Sequence, residues 1–226
     1  MWVFGYGSLM WMPGFGFTSQ SIARLSGYHR ALCIRSTHYR GTLARPGLVF
    51  GLDWGGVCDG VAFEVASGQA AGVLSALRQR ELIYGVYREA RVAVTLTAPQ
   101  YRVVQAITFI AERAHPNYAG PATVAAQAAI VRGAHGSAGA NLAYLINTLA
   151  HLRELSIRDR AIERVGVLAA AYANRVGIET SSGASARVTA LSSAWKNKPC
   201  RPAPRRGKLK PGDQHRFGHR AALVRW

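Results

Sequence analysis

The sequence predicts an α+β fold, a small mixed or closed sheet with helices packed outside it, and three observations point there. β-prone runs bounded by glycine and proline dominate residues 1–111. One helical stretch interrupts them at residues 68–83. From residue 123 to residue 176 the apolar spacing is helical, and strands followed by helices is the order of an α+β domain.

The elements follow in chain order. Residues 1–4 are apolar and β-prone, and they end at Gly5-Tyr6-Gly7-Ser8. Glycine lets a ligand approach the main chain closely, so this break is a candidate anion cradle built from backbone N–H groups. After an aromatic and glycine-rich connector at 11–17, residues 18–25 read as one short helical turn. A second strand is expected at 27–36, then a polar loop at 37–47 carrying Arg40 and Arg45. A third strand at 48–53 and a fourth at 57–65 flank Gly55-Gly56 and read as a hairpin.

In the helix at 68–83, Ala70, Val73, Leu74 and Leu77 form an apolar stripe, and the next position on it is Glu81. A carboxylate at the end of such a stripe borders a cavity, partners a buried cation, or simply reaches water. Strands are expected at 91–97 and 103–111, a turn-rich loop at 115–121, and helices at 123–132, 141–155 and 159–176. Residues 1–178 then make one domain. Residues 179–226, rich in Ser, Gly, Pro and Arg and poor in aliphatics, are expected to be a disordered or loosely packed basic tail.

Composition narrows the function. The net charge is +17, but residues 180–226 carry +10 of it and the body only +7, a balance that suits a small anionic substrate without demanding nucleic acid. The tail holds only Trp195, Phe217 and Trp226 as stacking aromatics, so nucleic-acid contact is expected to be weak and nonspecific. No apolar run approaches the ~20 residues that span a bilayer, and no signal-peptide pattern opens the chain. Three cysteines without pairing logic fit free thiols, and the expected location is cytoplasmic.

Several chemistries find no residues to carry them. The histidines are scattered without HxH or HExxH spacing, so no metal site is expected. Ser8 lies in no G-x-S-x-G elbow, and no GxxxxGK[ST] loop is present. Cys33 sits mid-strand among apolar residues as a core thiol. What remains is a glycine loop, a basic loop around Arg35, His38 and Arg40, and one carboxylate, Glu81, on an apolar helix face beside Gly85 and Tyr87. That set suits single-base chemistry on a small anion.

The matching stretches are Val3-Phe4-Gly5-Tyr6-Gly7-Ser8-Leu9-Met10-Trp11, Gly27-Tyr28-His29-Arg30 with Cys33, Arg40-Gly41-Thr42, Gly60-Val61-Ala62-Phe63, Arg80-Glu81 with Gly85-Val86-Tyr87, His115-Pro116-Asn117-Tyr118, and Asn141 with Tyr144-Leu145. In that order the chain resembles the ChaC-type gamma-glutamylcyclotransferases, over about residues 2–165. The resemblance implies a gamma-glutamylcyclotransferase-like small mixed β-barrel flanked by helices. It implies conversion of glutathione to 5-oxoproline and cysteinylglycine with no metal or nucleotide cofactor. It places the catalytic acid/base on Glu81 and the γ-glutamyl group in the loop Tyr6, Gly7, Ser8 and Leu9.

Charge makes Arg40 or Arg35 a candidate for the glycyl carboxylate, and Tyr87 and Tyr118 are expected to line the pocket. Residues 42–46 (Thr-Leu-Ala-Arg-Pro) lack the acid that relatives carry after their Gly-Thr-Pro, which leaves other γ-glutamyl amino acids or amines open as substrates. A non-catalytic γ-glutamyl-binding protein on the same fold, with a nucleic-acid-binding tail, is the alternative of a different class.

Overall fold

The computed structural model describes residues 1–82, 84–97 and 101–175. Five strands close a barrel in the order β1-β3-β2-β4-β5: β1 (Trp2–Gly5), β2 (Ser19–Ser36), β3 (Gly47–Glu64), β4 (Tyr87–Leu96) and β5 (Arg102–Ala111). All pairings are antiparallel except β1 with β5, which run parallel and close the ring. α1 (Ala70–Glu81) lies between β3 and β4 in the chain. After the barrel come α2 (Val124–Gly133), a two-residue hairpin of β6 (His135–Gly136) and β7 (Gly139–Ala140), α3 (Asn141–Glu154) and α4 (Arg160–Arg175). The expected barrel flanked by helices is present. The expected tail at 179–226 lies outside the described residues.

Alternation along β1 sets the layers. Phe4 points into the barrel core with Leu25, Phe63 and Val94, while Val3 points outward into a cluster with Leu9, Val65, Phe109 and the two buried residues of α1, Val73 and Leu77. Burying each such side chain contributes about 1.5–3 kcal/mol. Helix α1 is therefore docked on β1 and the turn that follows it. Two further positions on the same stripe beyond Val73 end at Glu81, so this docking carries Glu81 toward that turn.

Two local expectations are corrected. Residues 18–25 form no helical turn: β2 begins at Ser19 and pairs with β3 and β4. Its inward residues are Ser21, Ala23 and Leu25, and the first two are too small to write an apolar alternation into the sequence. The strands expected at 48–53 and 57–65 are one 18-residue strand, β3, not a hairpin. Gly55 and Gly56, with φ of 91° and 72°, let that strand kink and continue opposite Gly27 (φ 87°), where the pairing with β2 shifts register.

Beyond this kink β2 and β3 extend as a paired arm ending in the loop at 37–46. Asn141, buried at the start of α3, accepts from Leu48 N (2.6 Å) and donates to Leu48 O (2.7 Å). His38 O and Tyr39 O accept from Ser137 N and Ala138 N in the turn between β6 and β7, both at 2.9 Å. The arm's end, which carries Tyr39 and Arg40, is thus fastened to the turn between β6 and β7.

Candidate active site

Glu81 is the last residue of α1, and its side chain is largely enclosed, with 18% of its surface exposed. Burial pushes its carboxyl above the ordinary carboxylate range; the Arg80 guanidinium, 3.1 Å from Oε1, pulls the other way without cancelling it. Arg80 also donates to Met12 O (2.9 Å), Pro13 O (3.2 Å) and Ser8 Oγ (3.0 Å). One arginine therefore ties the end of α1 to both sides of the turn after β1. Burial depresses the Arg80 pKa, and Glu81 opposes that shift.

In the turn, a Cβ added to Gly5 would lie 2.9 Å from Leu9 Cβ, so only glycine lets the chain double back there. Beside Gly7 a Cβ would meet nothing within 4 Å, so open space borders the main chain at that point. Met10 N donates to Gly7 O (2.9 Å), and Trp11 and Met12 N donate to Ser8 O (3.3 and 2.8 Å). Those bonds turn the chain and leave the amides of Gly7, Ser8 and Leu9 at its head.

Three tyrosines surround the carboxyl. Tyr6 donates to Phe109 O (2.8 Å) and Tyr87 to Phe50 O (2.7 Å), while Tyr144 Oη accepts from Phe50 N (3.3 Å). Burial raises all three hydroxyl pKa values, Tyr144 to about 12, and the Glu81 charge adds to each. The hydroxyls stay neutral donors and acceptors at physiological pH. Over Tyr144 lies Arg40, its guanidinium carbon 5.4 Å from the ring centroid and Nη1 donating to Ala138 O. Burial lowers the Arg40 pKa, with Tyr144 opposing. Among the described residues no carboxylate pairs with Arg40. Tyr39 meets Tyr84 edge to face at 6.3 Å, so the Arg40 loop touches the turn that follows Glu81.

The sequence-derived residues are placed as follows. Glu81, Tyr6, Gly7 and Tyr87 gather at one place, with Arg40 across Tyr144 from them. Ser8 is there too, but its hydroxyl accepts from Arg80. Leu9 turns its side chain into the α1 cluster and offers only main chain. Tyr118 packs with Tyr87 around Cys33, Ile34, Val86 and Ala111, while its hydroxyl donates to Asp53 Oδ2 (2.7 Å). Arg35 spends Nη1 on Pro116 O and Tyr118 O. Burial pushes the Cys33 thiol up to about 12, so it carries no thiolate.

Reasoning from the sequence assigned no role to Tyr144 or Arg30. Tyr144 shares its helix face with the buried polar residues Asn141 and Thr148, one turn to either side, between the leucines of α3. Arg30 is a cation at an inward strand position, in step with Leu32, and that pattern was the available signal. Among the described residues no group of three His, Cys, Asp or Glu side chains is spaced to hold a metal ion, and no helix is long and apolar enough to cross a membrane.

Comparison with known proteins shows what the chain is similar to. The model of the family described as ChaC-like protein matches residues 1–171. The glutathione-specific gamma-glutamylcyclotransferase of Escherichia coli (strain K12) is 36% identical over 159 residues, 70% of this chain and 68% of that protein. The human glutathione-specific gamma-glutamylcyclotransferase 1 is 33% identical over 148 residues, 65% of this chain and 67% of that one. Among solved structures, a yeast gamma-glutamylcyclotransferase specific to glutathione superposes with a TM-score of 0.69 at 23% identity, covering 76% of this chain and 96% of the yeast chain.

Proposed function

The chain belongs to the ChaC-like protein family, and from that membership we propose that it is a glutathione-specific gamma-glutamylcyclotransferase, a lyase that closes the γ-glutamyl group of glutathione into 5-oxoproline and releases cysteinylglycine. The observation that carries the reading is Glu81: a carboxyl held above its ordinary pKa by burial, beside a glycine turn with open space along its main chain.

The reaction needs no outside reactant. The α-amine nitrogen of the substrate attacks its own γ-carbonyl carbon, forming the ring C–N bond, and the bond to the cysteinyl nitrogen breaks. Holding amine and carbonyl in the reactive pose supplies on the order of 7–11 kcal/mol in favourable cases. The amine must first lose a proton. Glu81 takes it, and a carboxylate raised above its usual range of about 4.3 is a better base for that task. Glu81 then returns the proton to the departing cysteinyl nitrogen, and the second proton shed by the ring nitrogen passes to solvent, matched by protonation of the released cysteinylglycine amine. The amides at the head of the turn face the substrate's α-carboxylate and the oxyanion on the γ-carbon. Tyr87 walls the pocket, and Tyr118 supports it from the Cys33 side. Arg40 takes the glycyl carboxylate, a role for which Arg35 has no donor to spare on Nη1.

Cys33 and Cys58 are free and buried, which supports a reducing compartment, and the proposed location is the cytoplasm. The test is Glu81→Gln, which keeps shape and removes the base. With glutathione as substrate, release of 5-oxoproline should be lost in the folded variant, and wild-type rates would overturn the assignment. Offering γ-glutamyl-alanine in parallel separates a glutathione enzyme from one for other γ-glutamyl compounds. A protein that binds both and releases 5-oxoproline from neither is the non-catalytic alternative.

A further inference from the structure

Arg30 is 3% exposed, yet it takes no part in the chemistry just described. It lies on β2, and its donors are spread over three partners from distant parts of the chain. Nε donates to Tyr6 O at 2.6 Å, Nη2 to Asp59 O at 2.6 Å, and Nη1 to Asp159 Oδ2 at 2.8 Å. Nη2 also lies 3.9 Å from Met10 Sδ. A fully enclosed guanidinium that needed only a counter-ion would be satisfied by Asp159. The contact to Tyr6 O does something else.

A trans peptide is planar, and its C=O and N–H point in opposite directions. Fixing the Tyr6 carbonyl on Arg30, in the interior, therefore fixes the Gly7 N–H to point away from it. Gly7 itself borders open space, since an added Cβ there would meet nothing within 4 Å, and the neighbouring Tyr6 ring feels the Glu81 charge. Without Arg30 the Tyr6–Gly7 peptide, followed by a glycine with no side chain to hold it, is free to rotate and present its carbonyl to the substrate. A carbonyl there would repel the oxyanion that a donor would stabilise.

We infer that Arg30 is a positioning residue for the reaction: it aims the Gly7 N–H at the γ-carbonyl oxygen as that oxygen acquires charge. The inference rests on the cyclotransferase reading, and goes beyond it in naming which amide serves the oxyanion and what orients it. A donor that acts only as charge develops changes the rate of the chemical step and leaves substrate binding alone.

The test is Arg30→Lys, which keeps a cation for Asp159 but lacks the planar fork that reaches Tyr6 O and Asp59 O together. Single-turnover release of 5-oxoproline at saturating glutathione, per folded molecule, should fall by about 10²- to 10³-fold, the cost of losing one oxyanion donor. KM should stay within about 3-fold. Val131→Ala, at a fully buried α2 residue outside the turn, is the control for destabilisation, and its rate per folded molecule should match wild type. A second protein carries an ester in place of the Tyr6–Gly7 amide. It lacks the N–H and should show the same rate loss at unchanged KM, whether or not the lysine variant folds.

A wild-type rate in the ester protein overturns the inference. So does an Arg30→Lys variant that keeps its rate per folded molecule, or one that raises KM alone. If wild type releases no 5-oxoproline from glutathione, the cyclotransferase reading fails first. If Glu81→Gln is inactive while the ester protein is fully active, only the role of Arg30 fails.

Discussion

Arg40→Met should convert a carboxylate-reading enzyme into one indifferent to the far end of its substrate. The guanidinium is half-buried, stacks on Tyr144 at 5.4 Å and gives one donor to Ala138 O. Its burial disfavours the charge, and no described carboxylate offsets that cost. A substrate carboxylate arriving beside it would form charge-assisted hydrogen bonds worth about 1.5–3 kcal/mol, or about 10- to 150-fold in kcat/KM at 1.4 kcal/mol per decade. Partial exposure of the arginine favours the lower half of that range.

The assay is 5-oxoproline release from glutathione and from its glycinamide analogue, which lacks the terminal charge. Wild type should lose roughly 10- to 50-fold on the amide, within the span above. Arg40→Met should lose as much on glutathione and nothing further on the amide, the non-additive signature of a shared contact. Methionine keeps an apolar stem over Tyr144, so a fall in thermal stability should stay small. Equal losses of the variant on both substrates would show that Arg40 supports the loop and does not touch the carboxylate.

Gly7→Ala should fold normally, because the new methyl meets no protein atom, yet kcat/KM should fall by at least about 10-fold since the methyl occupies substrate space. Gly5→Ala should do the reverse and lose about 1–3 kcal/mol by thermal or denaturant unfolding, because its Cβ is forced against Leu9 at 2.9 Å. Asp53 is buried, which opposes its charge, but Arg113, Tyr118 and Trp54 N hold its pKa below the usual value. Its contribution is therefore present at neutral pH and lost as pH falls through the folded pKa. Asp53→Asn should lower stability by about 1–3 kcal/mol at pH 7, and the difference from wild type should shrink on acidification. Glu81 has the opposite sign. Its folded pKa is raised, so ionisation costs stability as pH rises past the unfolded value. Glu81→Gln should melt above wild type at neutral pH and converge with it in acid, and a lower neutral melting temperature would contradict the assigned burial.

What the sequence made legible follows the size of the side chains involved. β1 and α1 were readable because Val3 and Phe4, and Val73 and Leu77, put large apolar groups at strand and helix periods. The first part of β2 was not, because its inward positions hold Ser21 and Ala23 where the barrel interior is already filled by Phe4, Phe63 and Leu25. Gly55-Gly56 carries the composition of a turn, and only the continuous pairing of β3 with β2 on both sides shows that the two glycines bend a strand rather than end it. Local chemistry does not encode which partner lies across the sheet.

The site divides in the same way. Glu81 was legible because a charge interrupted an apolar period, and the turn at residues 5–8 because glycine interrupted a strand. Arg40 and Arg35 were indistinguishable as loop cations. They separate only once Arg35 is seen donating to Pro116 O and Tyr118 O, while Arg40 lies desolvated on Tyr144. Arg80 and Arg30 show why such discrimination needs three dimensions. Both are enclosed cations beside the turn; one fastens Ser8, Met12 and Pro13 to α1, and the other holds the carbonyl of Tyr6. The turn is thus gripped from both faces, by side chains from α1 and β2. A glycine-rich turn held only by its own few backbone hydrogen bonds would fluctuate more, and a donor array preorganised for developing charge is worth more than one that must reorganise as the charge appears. That grip explains why a loop of so little bulk can serve as the floor of the site proposed around Glu81.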